Sequence, residues 1–462
     1  MEKIINTIKQ NKKNILGTII FLAIFSFISL FFMSWQIILI VNILFFIIGV
    51  FMLFPPIGLY LIAFLYPFWG LEFVSGSLNI PYVDIAALLL FLSVLVKVFV
   101  HHFLSKRVKN PLQKFPHIFQ FSLFFIACFI AITHNLDQLE AFKYLLRPIL
   151  FFYLMYVLLP VNLIKTKKVF YRVLGVMIAS GFLTAILGFL SVVFSEGSWF
   201  ARRAVPFSIF GQNLLGGNHN AVAEIMIVTI PLLLLFHLLS KNYKTKNYLF
   251  VGLMFLLLVL MFTFSRSGWL SVLLQFAILF TATLNLTKQK INIKNKIIII
   301  TVLVIVLVMF YVLVWGQVAE VQGSTSSRYL MSSVAWHHFS NHSIIGNGLN
   351  SFSDLVGNTF IYWVEFGDPL DSHGVLQKII TETGLLGLLT FGFLFYKIFQ
   401  KLILYYRRAS HQTKKIILIF IIMITGALFF QLFSTSYYIA KLWFPIGVSL
   451  SALPLFSQKS KI

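Results

Sequence analysis

The chain has 462 residues; only 11% are charged and 59% are hydrophobic. That hydrophobicity excludes disorder, and the shortage of charge excludes an ordinary soluble enzyme, because soluble domains carry roughly a quarter charged residues. On a soluble protein the formal net charge of +23 would point to nucleic acid, so the placement of its 36 Lys and Arg residues decides what the charge means. Apolar segments of about spanning length fall at 15–33, 36–54, 57–73, 83–100, 116–133, 145–163 and 169–195. They continue at 219–240, 247–265, 267–286, 297–315, 376–400, 416–436 and 439–456. Each is near the roughly 20 residues that cross a bilayer. Pro55-Pro56 punctuates the closely spaced early segments, so the expected count is 12–14. The first segment lacks a small-residue cleavage pattern and is read as a retained helix. The fold class expected is an all-α integral membrane protein, a polytopic helix bundle with one long outward loop.

With the N-terminus inside, 28 of the 36 cations fall in loops on the cytoplasmic side, joined there by Glu2 alone among the acids. Cytoplasmic loops collect Lys and Arg in this way. Both termini are therefore expected in the cytoplasm, and nucleic acid drops out as a partner. Three outward loops are expected, near 134–146, 196–218 and 317–375. In the last, 326–340 suits a short helix with Met331, Val334, Ala335 and His338 on one face. Tyr362, Trp363 and Phe366 suit a membrane interface. The single Cys128 supports neither a disulfide framework nor a CxxC metal site.

Eight cations break the inside rule: Lys143, Arg147, Arg202, Arg203, Arg266, Arg328, Lys378 and Lys441. Five are arginines, whose planar fork matches phosphate. Outward arginines beside a bilayer suit a phosphorylated lipid; the alternative is pairing with acids such as Glu196, Glu320 or Asp371. Arg266 lies in Thr263-Phe264-Ser265-Arg266-Ser267-Gly268, a very short turn between two apolar segments. His337, His338 and His342 include an i, i+4 pair but no HExxH pattern, and no metal is expected. His373, in Asp371-Ser372-His373-Gly374, could take a proton from a hydroxyl, with Asp371 placed to orient it. A capping or interfacial histidine is the alternative.

Five pieces recur in a recognisable order: Gly216-Gly217-Asn218-His219-Asn220; Phe264-Ser265-Arg266-Ser267; Ser327-Arg328-Tyr329; Ile344-Ile345-Gly346-Asn347-Gly348 with Asn350 and Phe352; and His373 followed by Glu382-Thr383-Gly384-Leu385-Leu386-Gly387. Together they resemble the O-antigen ligase / O-antigen polymerase superfamily of bacterial membrane glycosyltransferases, most specifically over 205–395. The resemblance implies an N-terminal set of transmembrane helices over 1–204, a ligase-like core over 205–395 that includes the loop 317–375, and C-terminal helices over 396–462. It implies a GT-C-type enzyme of the bacterial cytoplasmic membrane that takes a glycan from undecaprenyl diphosphate to a glycan or lipid acceptor, without metal or cofactor. Arg266 and Arg328 match the diphosphate-binding arginines, with Arg203, Asn218 and Asn220 as further substrate-binding candidates. His373 matches the general base, with Asp371 and Glu382 as orienting candidates. Two departures stand out. Gly374 replaces a common Asn, and His342-Ser343-Ile344-Ile345 lacks a common Pro. Repeat-unit polymerisation by the same superfamily is the close alternative. A lipid-linked glycan flippase is the distant one, since transporters usually show repeats and mid-membrane charges.

Overall fold

The computed structural model describes residues 35–75, 78–104, 110–195, 202–209, 212–287, 318–367 and 371–456. The expected segments at 15–33 and 297–315 lie outside the described residues. The chain is an all-α bundle, and among the described residues the only sheets are two small two-stranded hairpins.

In chain order the elements begin with α1 (Trp35–Leu53), α2 (Pro55–Leu65), the hairpin β1 (Glu72–Ser75) and β2 (Leu78–Pro81), and α3 (Tyr82–Phe99). Then come α4 (Ile118–Ile132), α5 (Gln138–Tyr144), α6 (Leu159–Leu163), α7 (Lys167–Phe194) and the hairpin β3 (Ser208–Ile209) and β4 (Gln212–Asn213). Next are α8 (His219–Leu239), α9 (Tyr243–Phe262) and α10 (Arg266–Thr287). The last elements are α11 (Val318–Asn341), α12 (Phe352–Gly357), α13 (Phe360–Phe366), α14 (Val375–Arg408), α15 (His411–Gln431) and α16 (Ala440–Phe456).

Among the described residues six helices are long and apolar enough to cross a membrane, and four shorter apolar helices accompany them. The segments at 36–54 and 57–73, which Pro55-Pro56 left open as one crossing or two, are bent by 112° at that point. That geometry belongs to one broken span or a re-entrant loop. Proline suits the first turn of a helix and cannot continue the one before it, so the break falls where the sequence puts Pro55-Pro56.

Helix α8 is the centre of the bundle, with an almost unbroken buried run from Val222 to Leu233. Helices α7, α9, α10 and α15 pack around it. A helix apolar on every side must be surrounded, and this one is. Helix α14 lies along α4 on one side and α11 on another.

The described residues of the loop 317–375 form a small helical cap. Helix α11 is longer than the expected 326–340. Its buried Met331, Val334 and Ala335 meet Phe352, Val356 and Tyr362 from α12 and α13 in a core separate from that of the bundle. Tyr362 therefore turns inward, against Phe366 at 5.3 Å, whereas Trp363 stays exposed. The trio expected at an interface is split between a core and a surface.

The ends of the bundle differ in charge. At one end Lys97 lies within electrostatic reach of Lys165, and Lys401 within reach of Lys114. Asn162 ties this end together by accepting from the backbone N–H groups of Gln113 and Lys114. The opposite end gathers the loops near 134, 204–216, 264, 328, 346 and 373. These are the two loop sets that the charge pattern separates.

Candidate functional site

Arg266 owes its place to the turn before it. Thr263 closes α9 by donating its Oγ1 to the Leu260 carbonyl at 2.6 Å. Phe264 takes the left-handed conformation (φ 51°), which reverses the chain in a single residue. Ser265 then caps α10: its Oγ accepts from the Gly268 N–H at 3.2 Å. The same hydroxyl donates to Asn220 Oδ1 at 2.7 Å, tying the turn to the first residues of α8. Gly268 lets the helices close, since a Cβ there would stand 2.9 Å from the Cβ of Ala223. Arg266 is thus the first residue of a helix whose N-terminal N–H groups favour anions.

Arg203 is held beside this turn. The Ala204 N–H donates to the Phe262 carbonyl at 2.8 Å, and the Val205 N–H donates to Ser191 Oγ at 3.0 Å. The Arg203 guanidinium lies 6.0 Å from the Phe264 ring centroid. Its neighbour Arg202 points elsewhere, donating to the Val192 and Val193 carbonyls at the end of α7.

Arg328, on α11 of the cap, faces Arg266 closely enough to feel its charge. Burial first, then Arg266, lowers its pKa, but a guanidinium stays protonated all the same. Its Nε is buried and has no hydrogen-bond partner. Among the described residues no ion pair joins Arg266 or Arg328 to an acid. Of the acids expected to neutralise these arginines, Asp371 pairs with Lys378 at 2.6 Å instead, and Glu196 lies outside the described residues.

His373 completes the group. Burial, and then the Arg328 charge, lowers the pKa of its imidazole, while Asp371 pulls the other way. Its segment is clamped on both sides. Ser372 Oγ donates to the Gly374 carbonyl at 2.9 Å, and Thr435 Oγ1 donates to the Ser372 carbonyl at 2.8 Å. Gly374 also gains a reason: a Cβ there would stand 2.4 Å from the Leu432 carbonyl oxygen, so Asn has no room on this backbone. Among the described residues no hydrogen bond joins Asp371 to the His373 ring. The Asp371 Oδ1 accepts instead from Lys378 and from the Ser372 N–H.

Glu382 belongs to a different device. Helix α14 is broken at Gly384, whose φ of 60° and ψ of −158° are not helical. A break strands carbonyls before it and N–H groups after it, and buried backbone groups need partners. The segment 343–348 supplies partners for four of them. Asn347 N donates to the Thr381 carbonyl at 2.9 Å and Gly348 N to the Glu382 carbonyl at 3.1 Å. Leu385 N donates to the Ser343 carbonyl at 2.9 Å and Leu386 N to the Ile344 carbonyl at 3.1 Å. Gly346 and Gly384 are both in the left-handed region, and a Cβ on either would stand 2.5 Å from the other segment's backbone. The two glycine motifs are therefore one interlocked unit. Glu382 itself accepts from the Phe352 N–H at 3.3 Å and lies 3.4 Å from Lys378.

The asparagines near α8 are structural in their visible contacts. Asn218 caps the helix by accepting from the Asn220 N–H at 3.0 Å, and Asn220 holds Ser265. Sequence reading missed Lys378 and Lys441 as buried groups. Lys441 donates to the Leu215 carbonyl at 3.1 Å and lies 3.7 Å from Glu224. Their signal was a lysine inside an apolar run, four residues from Glu382 in one case and beside an apolar helix start in the other.

The histidines at 337, 338 and 342 lie beside one another on the cap, and His342 packs edge-on to His134 at 5.5 Å. Among the described residues no three His, Cys, Asp or Glu side chains are grouped to hold a metal ion.

No curated protein matches the chain. Residues 251–392 match the family model described as O-antigen ligase. That stretch contains Arg266, Arg328, His373 and both halves of the interlocked glycine unit, so the similarity to the O-antigen ligase family covers about a third of the chain and falls on these residues.

Proposed function

We propose that the protein is a glycosyltransferase of the bacterial cytoplasmic membrane that moves a glycan from undecaprenyl diphosphate to an acceptor hydroxyl on the outward face. The observation that carries this reading is that Arg328 lies within electrostatic reach of both Arg266 and His373, three residues from separate stretches of sequence. Two guanidinium groups with no acidic partner among the described residues suit a diphosphate, and the unpartnered Nε of Arg328 offers it a further donor. Arg203 borders the same turn as a third cation.

In the reaction the acceptor oxygen forms a bond to the anomeric carbon, and the bond from that carbon to the diphosphate oxygen breaks. The electron pair leaves with the diphosphate, whose charge the arginines neutralise in a partly desolvated site. The acceptor proton passes to the His373 imidazole, which must be neutral to take it. The lowered pKa of His373 favours that form. Orientation with both termini in the cytoplasm places this site outward and the lysine-rich end inward.

The test uses purified protein in nanodiscs with an undecaprenyl-diphosphate glycan and an acceptor. Release of undecaprenyl diphosphate should require acceptor and persist with a chelator. Arg266→Ala and His373→Ala should each abolish it in folded protein; wild-type turnover in either removes that residue from the site. Product length separates ligation from polymerisation: a one-step transfer means ligase, a ladder of repeats means polymerase.

A further inference from the structure

Lys378 is a buried cation held between two carboxylates. Its side chain is 3% exposed. Its Nζ lies 2.6 Å from Asp371 and 3.4 Å from Glu382, and 5.5 Å from the centroid of the Tyr144 ring. Burying a charge costs several kcal/mol unless it is paired, so this ammonium group cannot be moved independently of its partners. The partners sit on different parts of the site. Asp371 begins the segment that carries His373. Glu382 sits at the break in α14, where the turn 346–348 is seated.

We propose that Lys378 is a positioning residue for transfer, fixing the His373 segment against the interlocked glycine unit and attenuating the negative charge that Asp371 presents to the imidazole. The proposal rests on His373 being the base. The groups facing His373 are Arg328 from α11 and Asp371 from its own segment. Those facing Lys378 are Asp371, Glu382, Tyr144 and Tyr438. Arg328 disfavours the imidazolium and Asp371 favours it. With Lys378 in place the Asp371 charge is largely spent on the ammonium group. Without it, the whole charge faces the imidazole.

The experiment measures kcat and donor KM against pH for the full chain in nanodiscs, with an undecaprenyl-diphosphate glycan and acceptor. Lys378→Met should lower kcat by roughly 10- to 100-fold through misplacement of the base. Donor KM should hold, and the acid limb of the pH profile should move to higher pH. Asp371→Asn should move that limb to lower pH, because the carboxylate that favours the imidazolium is gone while Arg328 remains and Lys378 keeps only Glu382 as its partner. An immobile limb in folded Lys378→Met, or a rise in donor KM matching the fall in kcat, overturns the proposal. If Lys378→Met does not fold, Asp371→Asn decides: a limb that stays put overturns the proposal. His373→Gln separates the two levels. Wild-type turnover there ends the base assignment and this proposal with it. An inactive His373→Gln together with an immobile limb in Lys378→Met ends this proposal alone.

Discussion

Asn220 accepts a hydrogen bond from Ser265 at 2.7 Å, and so the start of α8 sets the position of the residue just before Arg266. Asn220→Ala removes that acceptor while leaving the Ser265 cap of α10 in place. The expected cost in stability is about 1 kcal/mol, read as a modest fall in melting temperature. If Arg266 binds the donor as proposed, donor KM should rise more than kcat falls, because that arginine has lost a support and His373 has not.

The break in α14 gives a sharper stability prediction. Gly384→Ala forces a side chain into the left-handed region and 2.5 Å from the Ile344 carbonyl oxygen. The strain alone is about 1–2 kcal/mol, and the clash adds to it. Limited proteolysis should show cleavage within the cap at temperatures where wild type resists. Gly392→Ala, in the same helix with open space around its Cβ position, is the control and should be silent.

These glycines show what the sequence could and could not reveal. The motifs around Gly346 and Gly384 were legible as separate pieces, and the helix they break was legible as a continuous apolar run. That each supplies the hydrogen bonds the other lacks was not legible, because such pairing depends on two segments that meet only in the folded chain. The converging Arg266, Arg328 and His373 were legible through resemblance. Lys378 was passed over because charge counting assigns a lysine to a side of the membrane and says nothing of its burial. Asp371 was assigned to His373 on sequence proximity; in the fold its Oδ1 also holds the buried Lys378, a partner that proximity along the chain does not reveal.

Arginine geometry can be tested with lysine. Arg266→Lys and Arg328→Lys keep the charge and lose the fork that grips two phosphate oxygens. Each should reduce kcat/KM by roughly 10- to 100-fold, on the scale of one or two charge-assisted hydrogen bonds. Retention of full activity in both would mean that charge alone suffices.

The imidazole makes a pH prediction with a definite sign. The folded pKa of His373 is depressed below its ordinary value near 6.5. Its neutral form therefore persists to lower pH, and the acid limb of kcat/KM should lie below 6.5. In stability the unfolded chain binds the proton more readily than the folded one, so this group's contribution falls as pH drops through that window. Replacing His373 with Gln should flatten the corresponding part of a melting-temperature profile between pH 7 and 5.

The interlock between 343–348 and 381–386 also bears on how such a protein can diversify. The chain from 344 to 385 leaves and returns at nearly the same point, so α12, α13 and the segment carrying His373 lie on a closed loop pinned at its neck. Closing a longer loop adds only about 0.6 kcal/mol per doubling of its length. Residues inserted far from the neck, between α12 and α13 for example, would therefore leave the frame beneath almost untouched. Under the proposed function, a new acceptor is accommodated by changes in this excursion while Arg266, on the bundle below the neck, stays fixed.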